Sequence, residues 1–271
     1  MTAMTTAAPA APAPAARVGP VATLRQTMTL AWRSLVQIKH NPWELLDLSI
    51  QPIMLLLLFT YVFGGAILGS TDGYLRFALP GLLVQNALFY TLSTAIGLNT
   101  DISKGVFDRL RSLPIARTAP LAGRVIADTA KQVWAFALLV GFGMLLGFRV
   151  GTSVLGLLGA MALLVVVALA MSWMSVLIGL RASSPEKVQM IAFSVMMPLT
   201  FTSSALVPDQ TFPGWLETWS GLNPVTHLAD AIRGLLIGGE VARPVLVSLL
   251  WSAGFVVVFA PLAVRAFRSR V

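Results

Sequence analysis

The 271-residue sequence has no cysteine and few charged residues, and each shortage excludes a class of structure. Without cysteine there are no disulfides and no thiolate metal sites. Only 11% of the residues are charged and 56% are hydrophobic, whereas soluble domains average about 25% charged residues. The polar side chains are too few to cover an aqueous surface. The sequence therefore predicts an integral membrane protein.

The residues that hydrolyse nucleotides or perform other chemistry are also missing. A phosphate-binding loop carries Gly-Lys-Ser/Thr, and no lysine of this chain follows a glycine. The two histidines, His40 and His227, are predicted to lie on opposite sides of the membrane. A membrane-embedded enzyme needs a nucleophile, a metal cluster or an acid–base pair at membrane depth. We therefore expect no catalytic residue, no metal site and no cofactor bound by this chain.

Six apolar segments approach the length of about 20 residues that a helix needs to cross a bilayer. They are Leu48–Leu68, Leu79–Leu98, Val133–Phe148, Val154–Leu180, Val188–Val207 and Val245–Val264. They predict an all-α polytopic membrane protein with six transmembrane helices within residues 42–271.

Basic residues are distributed unevenly between the two sides that six spans create. Fifteen of the 19 Lys and Arg residues lie on the side that holds both termini, and the other side has only Arg76, Arg149, Arg233 and Arg243. Because cytoplasmic loops are enriched in basic residues, both termini are predicted to be cytoplasmic. We therefore attribute the net charge of +8 to basic residues that set this topology and contact anionic lipid headgroups, and not to nucleic-acid binding.

The N-terminal region divides into two predicted parts. Residues 1–20 are rich in Ala and Pro and predict a disordered cytoplasmic tail. Residues 21–41 predict an amphipathic helix in the cytoplasmic interface, with a soluble amphipathic helix as the alternative. Its apolar face consists of Leu24, Met28, Ala31, Leu35 and Ile38.

Two loops carry more information than the others. In the second cytoplasmic loop, Phe107, Leu110 and Leu113 are three residues apart. This spacing predicts a short amphipathic helix that can dock on a soluble partner, although a plain basic loop explains the same residues. In the last external segment, Asn223-Pro224 predicts a helix start and Gly238-Gly239 its end.

The last external segment is too long and too apolar for a simple loop. Two short helices that dip into the outer leaflet and return would fit it, and a flat interfacial helix is the alternative. The second helix is predicted to turn an apolar face inward and to place Asp230 and Arg233 opposite. That face consists of Val225, Leu228, Ile232, Leu235 and Leu236.

These loops, in this order around six spans, resemble the ABC-2 type permeases, and among them the daunorubicin-resistance subfamily. The resemblance covers the chain from Ala22 to its end. The matching pieces are GVFDRLRSLPIAR, GRVIAD, SSPEKVQ, FPGWLETWSGLNPVTHLADAIRGLL and the basic tail AVRAFRSR.

The resemblance implies the permease subunit of an ATP-driven exporter in the bacterial plasma membrane. It implies a drug, antibiotic, lipid or glycolipid as substrate, and a second copy or a paralogous permease as partner. ATP and Mg²⁺ would be held by a separate cytoplasmic ATPase. The coupling helix to that ATPase maps to residues 104–114 and the re-entrant helices to residues 212–239. The coupling residues would be Phe107, Arg109, Leu110, Arg111 and Leu113.

Polar residues on two of the spans are candidates for a substrate path, because they are costly against lipid. They are Gln85, Asn86, Tyr90 and Thr94 on the second span, with Met197, Phe201 and Ser204 on the fifth. Gln85, Tyr90 and Thr94 cannot share one narrow helical face, so at most some of them line a cavity. The alternative is that these groups only bond neighbouring helices.

An ion-coupled carrier or a channel is the rival class of function. Such proteins often contain repeats, charged rings or intramembrane carboxylates, and neither a repeat nor an acidic residue near a span centre is evident in the sequence. Asp128 and Lys131, at the start of the third span, predict an ion pair or, in a carrier, part of a proton relay.

Overall fold

Every regular element in the described part of the chain is a helix. The computed structural model describes residues 25–29, 31–32, 36, 42–105 and 119–270. The helices are α1 (Pro42–Leu57), α2 (Gly64–Leu68), α3 (Thr71–Ser103), α4 (Ala119–Leu145), α5 (Val154–Arg181), α6 (Pro185–Phe201), α7 (Gly214–Leu222), α8 (Pro224–Ile237) and α9 (Ala242–Arg270). A π-helical segment, Leu58–Phe63, joins α1 to α2. The short described stretches before α1 are also helical, within the predicted interfacial helix.

Five helical stretches in the described ranges are long and apolar enough to cross a membrane. They are Ser49–Leu68, Thr71–Ser103, Val125–Leu145, Val154–Arg181 and Ala242–Phe267. These stretches coincide with the first four predicted spans and the sixth.

The predicted fifth span, Val188–Val207, differs from the helix found there. Helix α6 has 17 residues and ends at Phe201, so the sixth crossing stays a prediction. Its end follows from three consecutive hydroxyl residues, because Ser and Thr side chains compete with helical hydrogen bonds. Thr202 Oγ1 donates to the Pro198 carbonyl, and Ser203 Oγ accepts from the Ala205 N–H.

Side-chain caps set the starts of four helices. Ser70, Ser153 and Ser184 accept a hydrogen bond from the backbone N–H three residues later, which satisfies a donor that the first helical turn leaves free. Asn223 caps α8 by accepting from the Val225 N–H, two residues later, with Pro224 in the first turn. The chain leaves α8 through Gly238, whose φ of 97° suits glycine.

Helix α5 is the central element and packs against α3 on one side and α9 on another. The main core contains fully buried side chains from α3, α4, α5 and α8, among them Leu79, Leu139, Met171 and Ile232. Helix α9 leaves large apolar side chains such as Val257 uncovered. An apolar face of this kind suits lipid, which solvates it without cost.

The outer part of the fold depends on a close backbone contact at Gly81 in α3. A Cβ atom built on this glycine would overlap the carbonyl oxygen of Ala205, in the turn after α6. Any side chain at residue 81 therefore has to push the turn away from α3.

We expect Gly81→Ala to lower the melting temperature of the purified protein by roughly 2–10 °C, because overpacking costs about 1–3 kcal/mol. Gly141→Ala in α4 is the matched control, since a Cβ atom there meets nothing within 4 Å. Fluorescence-detected gel filtration after heating measures both variants. Equal melting temperatures for the two variants would contradict the packing described here.

Candidate functional site

The largest cavity described lies between α1, α3, α4 and α6 and has a volume of about 220 Å³. Four phenylalanine rings and three side-chain amides face it. The rings of Phe89 and Phe193 meet edge to face, with their centroids 5.4 Å apart. The lining residues are Gln51, Pro52, Leu55, Phe59, Leu82, Gln85, Asn86, Phe89, Leu139, Phe193, Met197 and Phe201.

One lining residue of this cavity, Gln85, has an unpaired hydrogen-bond acceptor that is buried in the cavity wall. Gln85 is 8% exposed, and its Oε1 atom has no hydrogen-bond partner. A buried polar atom without a partner costs about 1–3 kcal/mol, so a ligand that donates a hydrogen bond here would be favoured. None of the lining side chains is ionisable. The cavity therefore suits an apolar, aromatic molecule with a hydrogen-bond donor.

Four of the seven predicted path residues line the cavity: Gln85, Asn86, Met197 and Phe201. Tyr90 instead lines a separate pocket of about 20 Å³. Their role in transport stays a prediction.

The other two predicted path residues bond to neighbouring helices. Thr94 Oγ1 donates to Asp128 Oδ2 at 2.9 Å, which links α3 to α4. Ser204 Oγ donates to Asp230 Oδ1 at 3.3 Å, beyond the end of α6. The predicted coupling residues Phe107, Arg109, Leu110, Arg111 and Leu113 lie outside the described residues.

A cluster of side chains from α8 and its N-cap satisfies the backbone at the end of α6. Asn223 Nδ2 donates to the Leu199 carbonyl at 2.8 Å, and the hydroxyl of Thr226 accepts from the Ser204 N–H at 3.2 Å. Together with Ser204, in the turn after α6, these side chains form what we call the polar cap: Ser204, Asn223, Thr226, Asp230 and Arg233.

Arg233 makes most of the hydrogen bonds in the polar cap. Its Nη2 donates to the carbonyls of Ser204, at 2.6 Å, and Ala205, at 3.0 Å. Its Nε donates to the Phe77 carbonyl at 3.2 Å, and the guanidinium lies 3.9 Å from the centroid of the Phe77 ring. Asp230 pairs with Nη1 at 2.8 Å. One side chain thus ties α8 to both α3 and the turn after α6.

The position of Arg233 corrects the sequence-based prediction. Arg233 was expected on an outward polar face, but its side chain is only 13% exposed, against 43% for Asp230. Burial lowers the pKa of Arg233, and the adjacent Asp230 carboxylate opposes that shift. Arginine remains a cation in proteins, so the polar cap contains a fixed positive charge. The apolar part of the prediction is sound, since Val225, Leu228 and Ile232 are buried.

Sequence reasoning also missed the aromatic lining and could not separate it from packing. Phe59, Phe89 and Phe193 look like ordinary apolar residues within apolar runs. A partial signal existed for Phe89, which lies one helical turn after Gln85 and therefore shares its face. No group of three or more His, Cys, Asp or Glu side chains that could hold a metal ion occurs among the described residues.

Comparison with known proteins shows to which family the chain belongs. The model of the ABC-2 type transporter family matches residues 25–237. The chain belongs to this family. As an ABC-2 protein it is a permease subunit of an ABC transporter, and the cavity and the polar cap lie within the matched residues.

Three named relatives cover between 73% and 90% of the chain. The daunorubicin resistance ABC transporter permease protein DrrB1 of Streptomyces coeruleorubidus is 43% identical over 90% of this chain and 86% of its own length. A Mycobacterium tuberculosis protein named as a probable doxorubicin resistance ABC transporter permease, DrrC, is 28% identical over 90% of this chain and 89% of its own. The doxorubicin resistance permease DrrB of the same species is 24% identical over 73% of this chain and 70% of its own length.

The polar cap makes a stability prediction. Arg233→Gln leaves the Ser204 and Ala205 carbonyls and the Asp230 carboxylate short of donors, which costs about 3–5 kcal/mol. We expect the melting temperature of the purified permease to fall by roughly 10 °C. Arg243→Gln, at an exposed position in α9, should leave it nearly unchanged. If both variants melt together, Arg233 does not stabilise the fold.

Proposed function

We propose that this permease exports an apolar or amphipathic drug through the cavity between α1, α3 and α6. The single observation that carries this proposal is an uncharged aromatic cavity with one unpaired amide oxygen, that of Gln85. Such a lining favours ring systems, because four of its side chains are phenylalanine rings against which an aromatic ligand can pack. The names of the relatives, which refer to daunorubicin and doxorubicin resistance, support the same class of substrate.

A second copy or a paralogous permease is part of this proposal. Drug-sized ligands occupy pockets of about 300–1,000 Å³, whereas the cavity of one chain has about 220 Å³. Helices α1 and α6 and the π-helical segment after α1 border it and expose Met54, Tyr61 and Met190, each more than half uncovered. A partner that packs on this apolar face would enlarge and close the cavity.

The topology that we propose has six crossings and both termini in the cytoplasm of a bacterial cell. Helix α6 would be the fifth crossing. Its 17 residues span about 26 Å at 1.5 Å per residue, slightly less than the hydrocarbon thickness of about 30 Å. Helices α7 and α8 would lie in the outer leaflet, where the polar cap supplies hydrogen bonds that lipid cannot.

Energy would come from ATP bound with Mg²⁺ to a cytoplasmic ATPase that docks on residues 104–114. Helix α3 runs from Ser103, next to this segment, up to the residues that line the cavity. A push on the segment would therefore reach the cavity through a single helix of 33 residues. Helix tilting of this kind is a known form of switching between two states.

Co-purification tests the ATPase partnership. The tagged permease is purified in mild detergent from cells that express the candidate ATPase, and the ATPase is quantified. We expect equal amounts for the native chain and for Ser112→Asp, and loss of the ATPase for Leu110→Asp/Leu113→Asp, which puts charge on the predicted docking stripe. A native permease that carries no ATPase would favour the ion-coupled carrier, for which doxorubicin export would follow the proton gradient instead of ATP.

Drug transport tests the cavity. In inside-out vesicles with the ATPase present, we expect Gln85→Leu to raise the KM for doxorubicin about fivefold, because one hydrogen bond is worth about 1 kcal/mol. Gln210→Leu makes the same change at an exposed residue between α6 and α7 and should leave the KM unaltered. An unchanged KM in the Gln85 variant would separate this cavity from the drug path.

A further inference from the structure

A row of polar side chains connects one end of the bundle to the cavity. Asn86, Tyr90 and Thr94 are four residues apart on α3 and share one face, while Asp128 and Gln132 are four apart on α4. The hydrogen bond from Thr94 to Asp128 joins the two helices at one end. Asn86, Tyr90 and Gln132 line one pocket at the other end. We call these five residues the polar seam.

The polar seam and the cavity share one lining residue. Asn86 lines both the pocket of about 20 Å³ and the cavity of about 220 Å³. From Thr94 to Asn86 the seam extends about 12 Å along α3, which is most of one leaflet of a bilayer with a core of about 30 Å. All five side chains are partly exposed. The pocket is large enough for one water molecule, which needs about 10–15 Å³ and two or more polar partners.

Hydrogen-bond acceptors stand at both ends of the route. The Asp128 carboxylate lies at the end predicted to be cytoplasmic, and Gln85, whose Oε1 is unpaired and buried, lines the cavity next to Asn86. An amphipathic molecule whose head donates hydrogen bonds would find an acceptor at each end, while its apolar part stays in lipid or in the cavity.

From these observations we propose that the polar seam is the inner-leaflet entrance for the substrate, and that it admits amphipathic molecules with an N–H or O–H donor on the head group. The inference rests on the proposed export function and adds the route and the donor requirement. The competing explanation is that these side chains only hold α3 and α4 together, in which case the seam excludes both water and substrate.

The native chain has no cysteine, so single cysteines report accessibility without background. Inside-out vesicles are prepared with one variant each: Asn86→Cys, Tyr90→Cys or Thr94→Cys. The vesicles are then treated with a charged, membrane-impermeant methanethiosulfonate reagent. Two controls lie on the same helix: Leu92→Cys at a buried position and Ser93→Cys at an exposed position off the seam. We expect labelling at the three seam positions to be several-fold faster than at either control. Labelling no faster than at the controls overturns the proposal.

The donor requirement is tested with two cationic dyes on the same samples. Rhodamine 6G has secondary amine N–H groups, and tetramethylrhodamine ethyl ester has none. We expect rhodamine 6G to slow labelling of the seam several-fold and the ester to have little effect. Equal protection by both dyes overturns the donor requirement, and protection by neither overturns the assignment of the seam to substrate.

A second measurement covers variants that fail to fold. Thr94→Val and Tyr90→Phe remove single hydroxyl groups with little change of shape, and each should raise the KM for ATP-driven rhodamine 6G transport. An unchanged KM in both overturns the proposal. These results are separable from the export function itself, because labelling needs no ATPase and the co-purification experiment needs no dye.

Discussion

The end of α6 is the constraint on which the outer half of the molecule depends. Three hydroxyl residues stop the helix at Phe201, and the carbonyls that follow lie inside the fold, where lipid and apolar side chains offer no donors. Arg233 supplies the donors that these carbonyls need, through a planar guanidinium with five N–H groups. Since the same guanidinium binds the Phe77 carbonyl, the positions of α3, α6 and α8 are fixed together.

The cavity is built directly below this junction. Phe201 is both the last residue of α6 and part of the cavity lining, and Gly81 lets α3 approach the turn at Ala205. The distance between α3 and α6 is therefore set by the polar cap at one end. At the other end, Asn99 of α3 donates hydrogen bonds to the carbonyls of Gly179 and Ala182, which precede α6. Helix α6 is therefore held at both ends, and between them Phe193 and Met197 form part of the cavity wall.

Local patterns predicted the helices well, and long-range contacts explain the failures. Hydropathy predicted the five described stretches that are long and apolar enough to cross a membrane, because lipid imposes a length on each of them, and Asn223-Pro224 marked the start of α8 because a cap acts within one helical turn. The burial of Arg233 was missed because its partner Phe77 is 156 positions away. Gln85 and Asn86 were recognisable as polar residues in an apolar run. Tyr90 is a polar residue in the same run, but it lines only the smaller pocket. The sequence shows which residues are polar within an apolar span. Only the packing of the helices determines which of them line the same cavity.

The most direct test of the account is a cryo-EM map of the full permease–ATPase complex with a transported drug bound and no nucleotide added. The account predicts density for the drug between α1, α3 and α6, in contact with Phe89 and Phe201. A donor atom of the drug should lie about 3 Å from Gln85 Oε1. Drug density elsewhere, with the cavity between these helices empty or filled by side chains, would contradict it.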